Sequence, residues 1–489
     1  MSKDKKGHEK TTLSIAKIPV ICGMNEFCQP SADDIAVFRT IVGDDQVITD
    51  PELLNTYSKD YTEDLRFMPA VVVKPGTTQE VSKLLAHCNT KHIPVTPRGA
   101  GTGLSGGALP VYGGVVLSME RFNRILEIDE RNFQATVEPG VINEVFQQAV
   151  REKGLFYPPD PASKGSCFLG GNLSHSSGGP RAVKYGTTRD YVLNMELVLA
   201  NGEVIETGAN TLKYSTGYNL THLLIGSEGT LGVITKIQFR LIPHPEQTLL
   251  MLASFPSPEN ACEAVSGIFR AGCTPSVCEF VEPEGFRLSS TMLNIPFEIK
   301  EGIGAYLLIE VDGNDMNNLM LDCEKISVVL DEFGASEVLL AQSSDEKEYF
   351  WKLRRSIGEA TKHGNVYKEE DTVVPRAELP RLFSGVKEIS HRYGFRTVCY
   401  GHAGDGNLHV NILKDQLPDA FWNGDLDKAI VEIFELCKKL GGTISGEHGI
   451  GYVQKKYMPV VMPESQLQLM RGIKLAFDPR GILNPGKIF

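Results

Sequence analysis

Residues 70–73, Ala-Val-Val-Val, form an apolar run stopped by Lys74-Pro75, which predicts a strand. Thr77 with Glu80 then makes a capping box opening a helix to about residue 90, and 93–96, Ile-Pro-Val-Thr, is the next strand. Strand, helix and strand in so short a span predict a βαβ unit. Strands at 125–128 and 135–138 lead through Pro139-Gly140 to a helix at about 142–152, suggesting a second βαβ-like unit. A strand pair, 196–199 and 203–206, turns at Asn201-Gly202. Residues up to about 32 have the texture of a flexible leader, followed to 60 by short helices. After Ile242-Pro243-His244-Pro245 glycine thins out, and strands alternate with longer helices, as at 260–270 and 344–362. Amphipathic helices are predicted at 425–440 and 463–477.

Between the predicted strands lie three glycine-rich segments. The first is Pro97-Arg98-Gly99-Ala100-Gly101-Thr102-Gly103-Leu104-Ser105-Gly106-Gly107. Its G-x-G-x-x-G match invites a Rossmann assignment, which fails because the fingerprint must open a helix. Here Pro110, Gly113 and Gly114 follow, and then a strand at 115–119. Such a loop still presents successive backbone N–H groups to an anion, pyrophosphate above all. The second segment, 170–179, is a small-residue loop that allows close backbone approach to a ligand; the third is 226–232. Three such segments in a setting that rejects Rossmann suggest one large dinucleotide held by an α+β domain.

A chain of 489 residues is too long for one ordinary core. With Lys+Arg 49 against Asp+Glu 61, the net charge of −12 argues against nucleic acid and against a polybasic membrane anchor. Ten scattered cysteines without a C-x-x-C fit neither a disulfide framework nor an iron–sulfur ligand set, and suit a reducing cytosol. Residues 1–10 carry both charge signs, and the apolar stretch 15–22 is broken by Lys17 and Pro19, so a signal peptide or membrane span is not expected.

The stretch 400–411, Y-G-H-A-G-D-G-N-L-H-V-N, comes nearest to stating a chemistry. Asp405-Gly406 as a two-residue hairpin turn would pair His402 directly with His409, on one face, with Asn411 two residues further along that face. The loop 445–451 offers Glu447 and His448. His402, His409 and Glu447 would make a metal set with an open position. On residues alone, hydrogen-bonded sheet histidines and a solvated loop explain the same pattern.

The motifs P-R-G-A-G-T-G-L-S-G-G, G-G-N-L, G-S-E-G-T-L-G-V-I-T, H-A-G-D-G-N-L-H, G-E-H-G-I-G and D-P-R-G-I-L-N-P-G-K occur in this order. Together they closely resemble the FAD-linked 2-hydroxyacid dehydrogenases of the vanillyl-alcohol oxidase (PCMH-type FAD) superfamily. That family holds the glycolate oxidase flavoprotein subunit, D-lactate dehydrogenase and D-2-hydroxyglutarate dehydrogenase. The resemblance implies an α+β fold with a two-subdomain FAD-binding domain at 48–245, after a leader and short helices at 1–47. A substrate or cap domain carrying the metal hairpin is expected at 246–425, and a C-terminal helical segment returning to the FAD domain at 426–489.

The resemblance places FAD against Pro97, Arg98, Gly99, Ala100, Gly101, Thr102, Gly103, Ser105 and Gly106 of the first loop. Further contacts are implied at Pro139, Gly140, Asp160, Gly170, Gly171, Asn172, Ser174, Gly178, Gly179, Glu228, Gly232, Ile234, Asn407 and Asn484. Relatives with covalent flavin carry a histidine where this chain has Thr102, so the FAD is expected to be noncovalent. His402, His409 and Glu447 become the ligands of a divalent metal, zinc by expectation, and His448 the base. Arg354 would bind the substrate carboxylate, Lys368 the far end of longer substrates, and Asn411 would join the catalytic set.

The implied reaction is oxidation of a D-2-hydroxy acid, D-lactate or glycolate ahead of D-2-hydroxyglutarate, with hydride passing to flavin N5. Electrons would leave to an external acceptor: an electron-transfer flavoprotein, an iron–sulfur subunit or a quinone. A cytoplasmic protein is expected, peripheral at the membrane if its acceptor is there, and a homodimer stays open. A flavin transferase resembling alkyl-dihydroxyacetone-phosphate synthase would need that family's run of consecutive histidines, which is absent. A zinc hydrolase would leave the glycine loops unexplained.

Overall fold

Three larger β-sheets and a two-stranded ribbon, Leu155–Phe156 with Ile242–Pro243, divide the described residues, and the site forms where the third large sheet meets the loops of the first two. The computed structural model describes residues 27–62 and 65–489; the first 26 residues of the expected leader, with the 15–22 stretch, fall outside them. In the first sheet, Val71–Val73 and Val95–Arg98 both run parallel to Val115–Ser118, which lies between them, and Val47–Ile48 adds an antiparallel edge. The Thr77 hydroxyl caps the helix Thr78–Lys91 through the N–H of Glu80. The Glu80 carboxylate takes the N–H of Gly76, so the expected box is only half closed. From Arg98 to Val115 the chain holds no helix, as the refusal of the Rossmann reading required.

The second sheet is wholly antiparallel, in the order Ile125–Asp129, Gln134–Val137, Val233–Arg240, Val192–Val198, Val204–Glu206. A second βαβ unit is therefore absent. The helix Asn143–Arg151 instead lays Phe146 and Val150 into this sheet's core. The second glycine segment, expected as a loop, opens as the short helix Leu169–His175. Gly170 permits this, because a Cβ there would lie 2.4 Å from Pro139 Cβ.

The third sheet has seven antiparallel strands: Glu337–Leu340, Gln247–Phe255, Ala305–Gly313, Val277–Val281, Arg396–Gly401, Asn407–Leu413 and Tyr367–Val373, in that spatial order. Helices Pro258–Arg270, Met316–Glu332, Leu379–Tyr393 and Leu426–Lys439 cover one face. Pro283–Leu293 and Ser344–Arg355 cover the other. The helix expected over 344–362 is interrupted at Ser356 and resumes as Ile357–Lys362.

Leu426–Lys439 buries Ile430, Ile433 and Phe434 in the core of this third sheet, so the C-terminal return begins after it. Ile473 and Phe477 of Glu464–Phe477 pack on the second sheet's core, and Ile482 and Leu483 enter the first, with Leu483 bridging Val95. Between the first two sheets and the third lies a charged seam. Arg181 meets Asp160 at 3.6 Å and Glu310 at 3.1 Å, while Lys184 and Tyr185 both hold Asp312. The described cysteines are all free, and no described helix is long and apolar enough to cross a membrane.

Candidate active site

The hairpin register differs from the sequence expectation. Tyr400, not His402, stands opposite His409. The type I′ turn needs positive φ at both positions and the type II′ turn at the first, whereas here only the second, Gly406, adopts it (φ 84°). The chain instead makes a 3₁₀ turn, Ala403–Asp405, and His402 sits just beyond the strand. Its ring still comes within 5.3 Å of the His409 ring, edge to face.

His402 Nε2 lies 3.1 Å and His409 Nε2 3.6 Å from the same Glu447 oxygen. Donors bonded at about 2.0–2.2 Å in a tetrahedron stand roughly 3.3 Å apart, so this spacing fits one ion. On its other side His402 Nδ1 meets Glu279 Oε1 at 2.8 Å, an outer carboxylate of the kind that orients a ligating imidazole. Glu279 is fully buried in Val277–Val281 and also ion-pairs with Arg354. Burial alone would raise the Glu279 pKa, but Arg354 and His402 outweigh it and hold the group ionised. Burial together with the neighbouring His448 pushes His409 down to about 4, which keeps it a neutral donor.

Asp371 positions the loop. Its Oδ2 accepts the Ser445 hydroxyl and the N–H groups of Gly446, Glu447 and His448, each at 2.8–2.9 Å. Asn407 ties down the other Asp371 oxygen at 2.8 Å, and so braces the loop instead of lining the cleft. The His448 ring stacks on His409, 10° from parallel with centroids 5.0 Å apart. Burial disfavours the His448 imidazolium, yet Asp371, Glu369 and Glu447 raise its pKa above the ordinary value. Glu369 and Asp371 are ligating-type groups that the sequence reading missed, as is Glu279. For Glu279 the signal was a lone acid in an otherwise apolar strand, V-C-E-F-V; Glu369 and Asp371 sit in the acidic run of Y-K-E-E-D-T-V, where only the strand register tells inward from outward.

These side chains close one end of a cleft of about 470 Å³. Its walls include Pro97 through Gly103, Pro139, Gly170, Gly171, Asn172, Ser174, Glu228, Gly232 and Ile234, all expected. Arg354, Tyr400, Glu369 and His175 join them. Gly101 (φ +72°) must lack a Cβ, which would strike the Arg98 guanidinium at 2.2 Å. Other expected contacts stand behind the wall. The Gly106 N–H bonds the Thr62 hydroxyl, the Ser105 carbonyl holds Tyr452, and Gly140 packs against Met119 and Phe122.

Gly178 donates its N–H to Glu447 at 3.2 Å, and Gly179 backs onto Asp160. Asp160 meets Lys164, Arg181 and Arg355, a seam rather than a cleft position. The Asn484 amide ties Gly107 and Glu228 carbonyls together, and Lys487 holds the Leu109 carbonyl from behind the loop. Asn411 is fully buried, its amide without a protein partner. Lys368 points away, 3.9 Å from Asp427 and 5.5 Å from the Trp422 ring centre.

Residues 69–208 match the family described as FAD binding domain, and residues 244–488 match FAD linked oxidases, C-terminal domain. The chain belongs to the FAD-linked oxidases. It is 41% identical to the glycolate oxidase subunit GlcD of Bacillus subtilis, covering 88% of this chain and 92% of that one. It is 37% identical to a D-lactate dehydrogenase of Anaerostipes hadrus (93% and 95% covered). To a D-2-hydroxyglutarate dehydrogenase of Stutzerimonas stutzeri it is 32% identical (92% and 97%). Among solved structures, p-cresol methylhydroxylase with substrate bound matches with a TM-score of 0.77 at 20% identity, over 93% of this chain and 96% of that one. The 4-ethylphenol oxidase of Gulosibacter chungangensis matches at 0.74 and 22% (94% and 98%). This FAD-linked oxidase therefore has the PCMH-type fold and is an FAD-dependent oxidoreductase. The cleft fits the cofactor on its own terms: Gly171 lines it with nothing within 4 Å of a built Cβ, leaving the space for a ligand.

Proposed function

We propose that this FAD-linked oxidase oxidises a D-2-hydroxy acid to the 2-oxo acid, using a divalent cation at His402, His409 and Glu447. D-lactate and glycolate are the favoured substrates, D-2-hydroxyglutarate the alternative. The observation carrying the reading is the ligand triad beside Arg354 and His448 at one end of the glycine-walled cleft. Two nitrogens and one carboxylate suit zinc. Bound, the cation would supply Lewis acidity toward a substrate hydroxyl and FAD would supply the two-electron acceptor.

The chain's own residues do the rest. Arg354 lies buried at the cleft, its guanidinium 4.9 Å from the Tyr400 ring centre, and its Nε meets no protein partner. It is positioned to take a carboxylate. His448, fixed through its backbone by Asp371 and through its ring by stacking on His409, takes the hydroxyl proton at a ring nitrogen. Glu279 holds His402 and Arg354 in one unit, so the hydroxyl and carboxylate of a 2-hydroxy acid meet partners fixed relative to each other. Electrons then pass to an external acceptor: an electron-transfer flavoprotein, an iron–sulfur subunit or a quinone.

Substitution of His448 by Ala tests the base. Rapid mixing with the acid should show flavin bleaching slowed by about 10²-fold or more, with flavin and metal still bound. An unchanged bleaching rate would remove His448 from the role.

A further inference from the structure

We propose that Glu369 sets charge selectivity at the tail of the substrate, so that the enzyme takes short monocarboxylic 2-hydroxy acids and rejects those with a second carboxylate. The inference rests on the 2-hydroxy-acid reading above and narrows it. Strand register decides which side chain of Tyr367–Val373 faces the site. Glu369 stands opposite Asn411 and Asp371 opposite His409, while Lys368 stands opposite Ile412. Alternation along the strand sends Glu369 and Asp371 to the histidine face and Lys368 to the other. Lys368 accordingly sits over Trp422 and beside Asp427, outside the cleft.

Glu369 lines the cleft with Arg354, Tyr400, His409 and His448. It accepts the Tyr400 hydroxyl at 3.3 Å, and one of its oxygens lies 3.9 Å from His409 Nδ1. That carboxylate also lies within 4.8 Å of ring nitrogens of both His409 and His448. A 2-hydroxy acid held between Arg354 and His448 carries its tail only a few ångströms from its hydroxyl carbon. A methyl, hydrogen or hydroxymethyl tail meets Glu369 without repulsion. A carboxylate there faces a like charge at a side chain only 8% exposed, where water screens the repulsion little. Besides Arg354, the cations beside this end of the cleft are Lys362, whose ammonium sits against the Tyr61 and Tyr367 rings, and Arg355, which is paired with Asp160 and packed on Trp351.

The test compares D-lactate with D-2-hydroxyglutarate as reductants of the holoenzyme, together with calorimetric affinities for pyruvate and 2-oxoglutarate, which need no turnover. Wild type should prefer the monocarboxylate in both measurements. Glu369→Gln should shrink that preference by on the order of tenfold, and Lys368→Ala should leave the ratio as it was. A wild-type preference for the dicarboxylate, an unchanged ratio in Glu369→Gln, or a selective loss of the dicarboxylate in Lys368→Ala would overturn the proposal. If Glu369→Gln does not fold, the wild-type oxo-acid affinities still decide. If no 2-hydroxy acid bleaches the wild-type flavin, the reaction itself is misassigned, while the affinity ratio still reports on Glu369.

Discussion

One carboxylate, Glu279, serves both halves of the site: Oε1 lies 2.8 Å from His402 Nδ1, and the group ion-pairs with Arg354. A ligand-orienting contact and a substrate-orienting contact are thus the same side chain. Glu279→Gln keeps the shape and removes the charge. We expect metal affinity to fall roughly 10–100-fold, read by competition with a chromophoric chelator, and KM for the acid to rise together with it. A rise in KM with metal affinity unchanged would separate the two roles.

The glycine wall yields a second prediction. Gly171→Leu puts a side chain into open cleft space from ordinary helical backbone. The protein should fold with near-native Tm and purify without its 450 nm flavin absorbance, and Gly171→Ala should retain most of it. Full flavin in the leucine variant would place the cofactor elsewhere.

The seam is tested through Asp160, buried among Lys164, Arg181 and Arg355. Burial would raise its pKa, but the three cations hold it low. Asp160→Asn should cost about 2 kcal/mol, less than a fully buried pair because its partners keep some solvent contact. Denaturant unfolding measures this, with flavin content as the control.

Lys487 gives a pH dependence. Burial depresses its pKa from 10.5 to about 7, against the pull of Glu228 and Asp60. Between those values the unfolded chain binds the extra proton, so this lysine's contribution to stability grows as pH rises from about 7 toward 10.5 and is lost as pH falls through 7. The Tm of wild type relative to Lys487→Met should therefore climb from pH 7 to pH 10. A flat difference would mean that the ammonium is charged in the fold.

The local elements that were legible in the sequence carried their own signals. Thr77 ahead of an apolar period marked a helix, and Asn201-Gly202 marked a turn whose glycine takes φ 87°. The glycine-rich stretch after Arg98 was correctly kept out of the Rossmann class because Pro110 and two glycines precede the next strand. Pairing between distant strands was not legible. Gln134–Val137 looks locally like the start of a parallel unit, yet it pairs antiparallel both with Ile125–Asp129 just before it and with Val233–Arg240, a hundred residues away. The hairpin register failed for a local reason, since Asp405 keeps negative φ and the connection lengthens.

The site divides in the same way. His402, His409, Glu447 and His448 announce themselves by motif, and the structure brings them together. Glu279 is a single acid in Val277–Val281, Glu369 and Asp371 belong to the acidic run of Tyr367–Val373, and nothing near them in sequence points to the histidines. Which face each occupies depends on register, the feature that also separates Glu369 from Lys368.

We propose that this FAD-linked oxidase turns over a 2-hydroxy acid through a metal-assisted site. The most direct measurement is the anaerobic visible spectrum of the purified protein before and after D-lactate, glycolate, D-2-hydroxyglutarate and L-lactate, with and without prior chelation. We predict a yellow protein bleached by D-lactate or glycolate, protected by the chelator and restored to bleaching by zinc. A yellow protein that no acid bleaches, or one bleached equally after complete metal removal, would contradict the account.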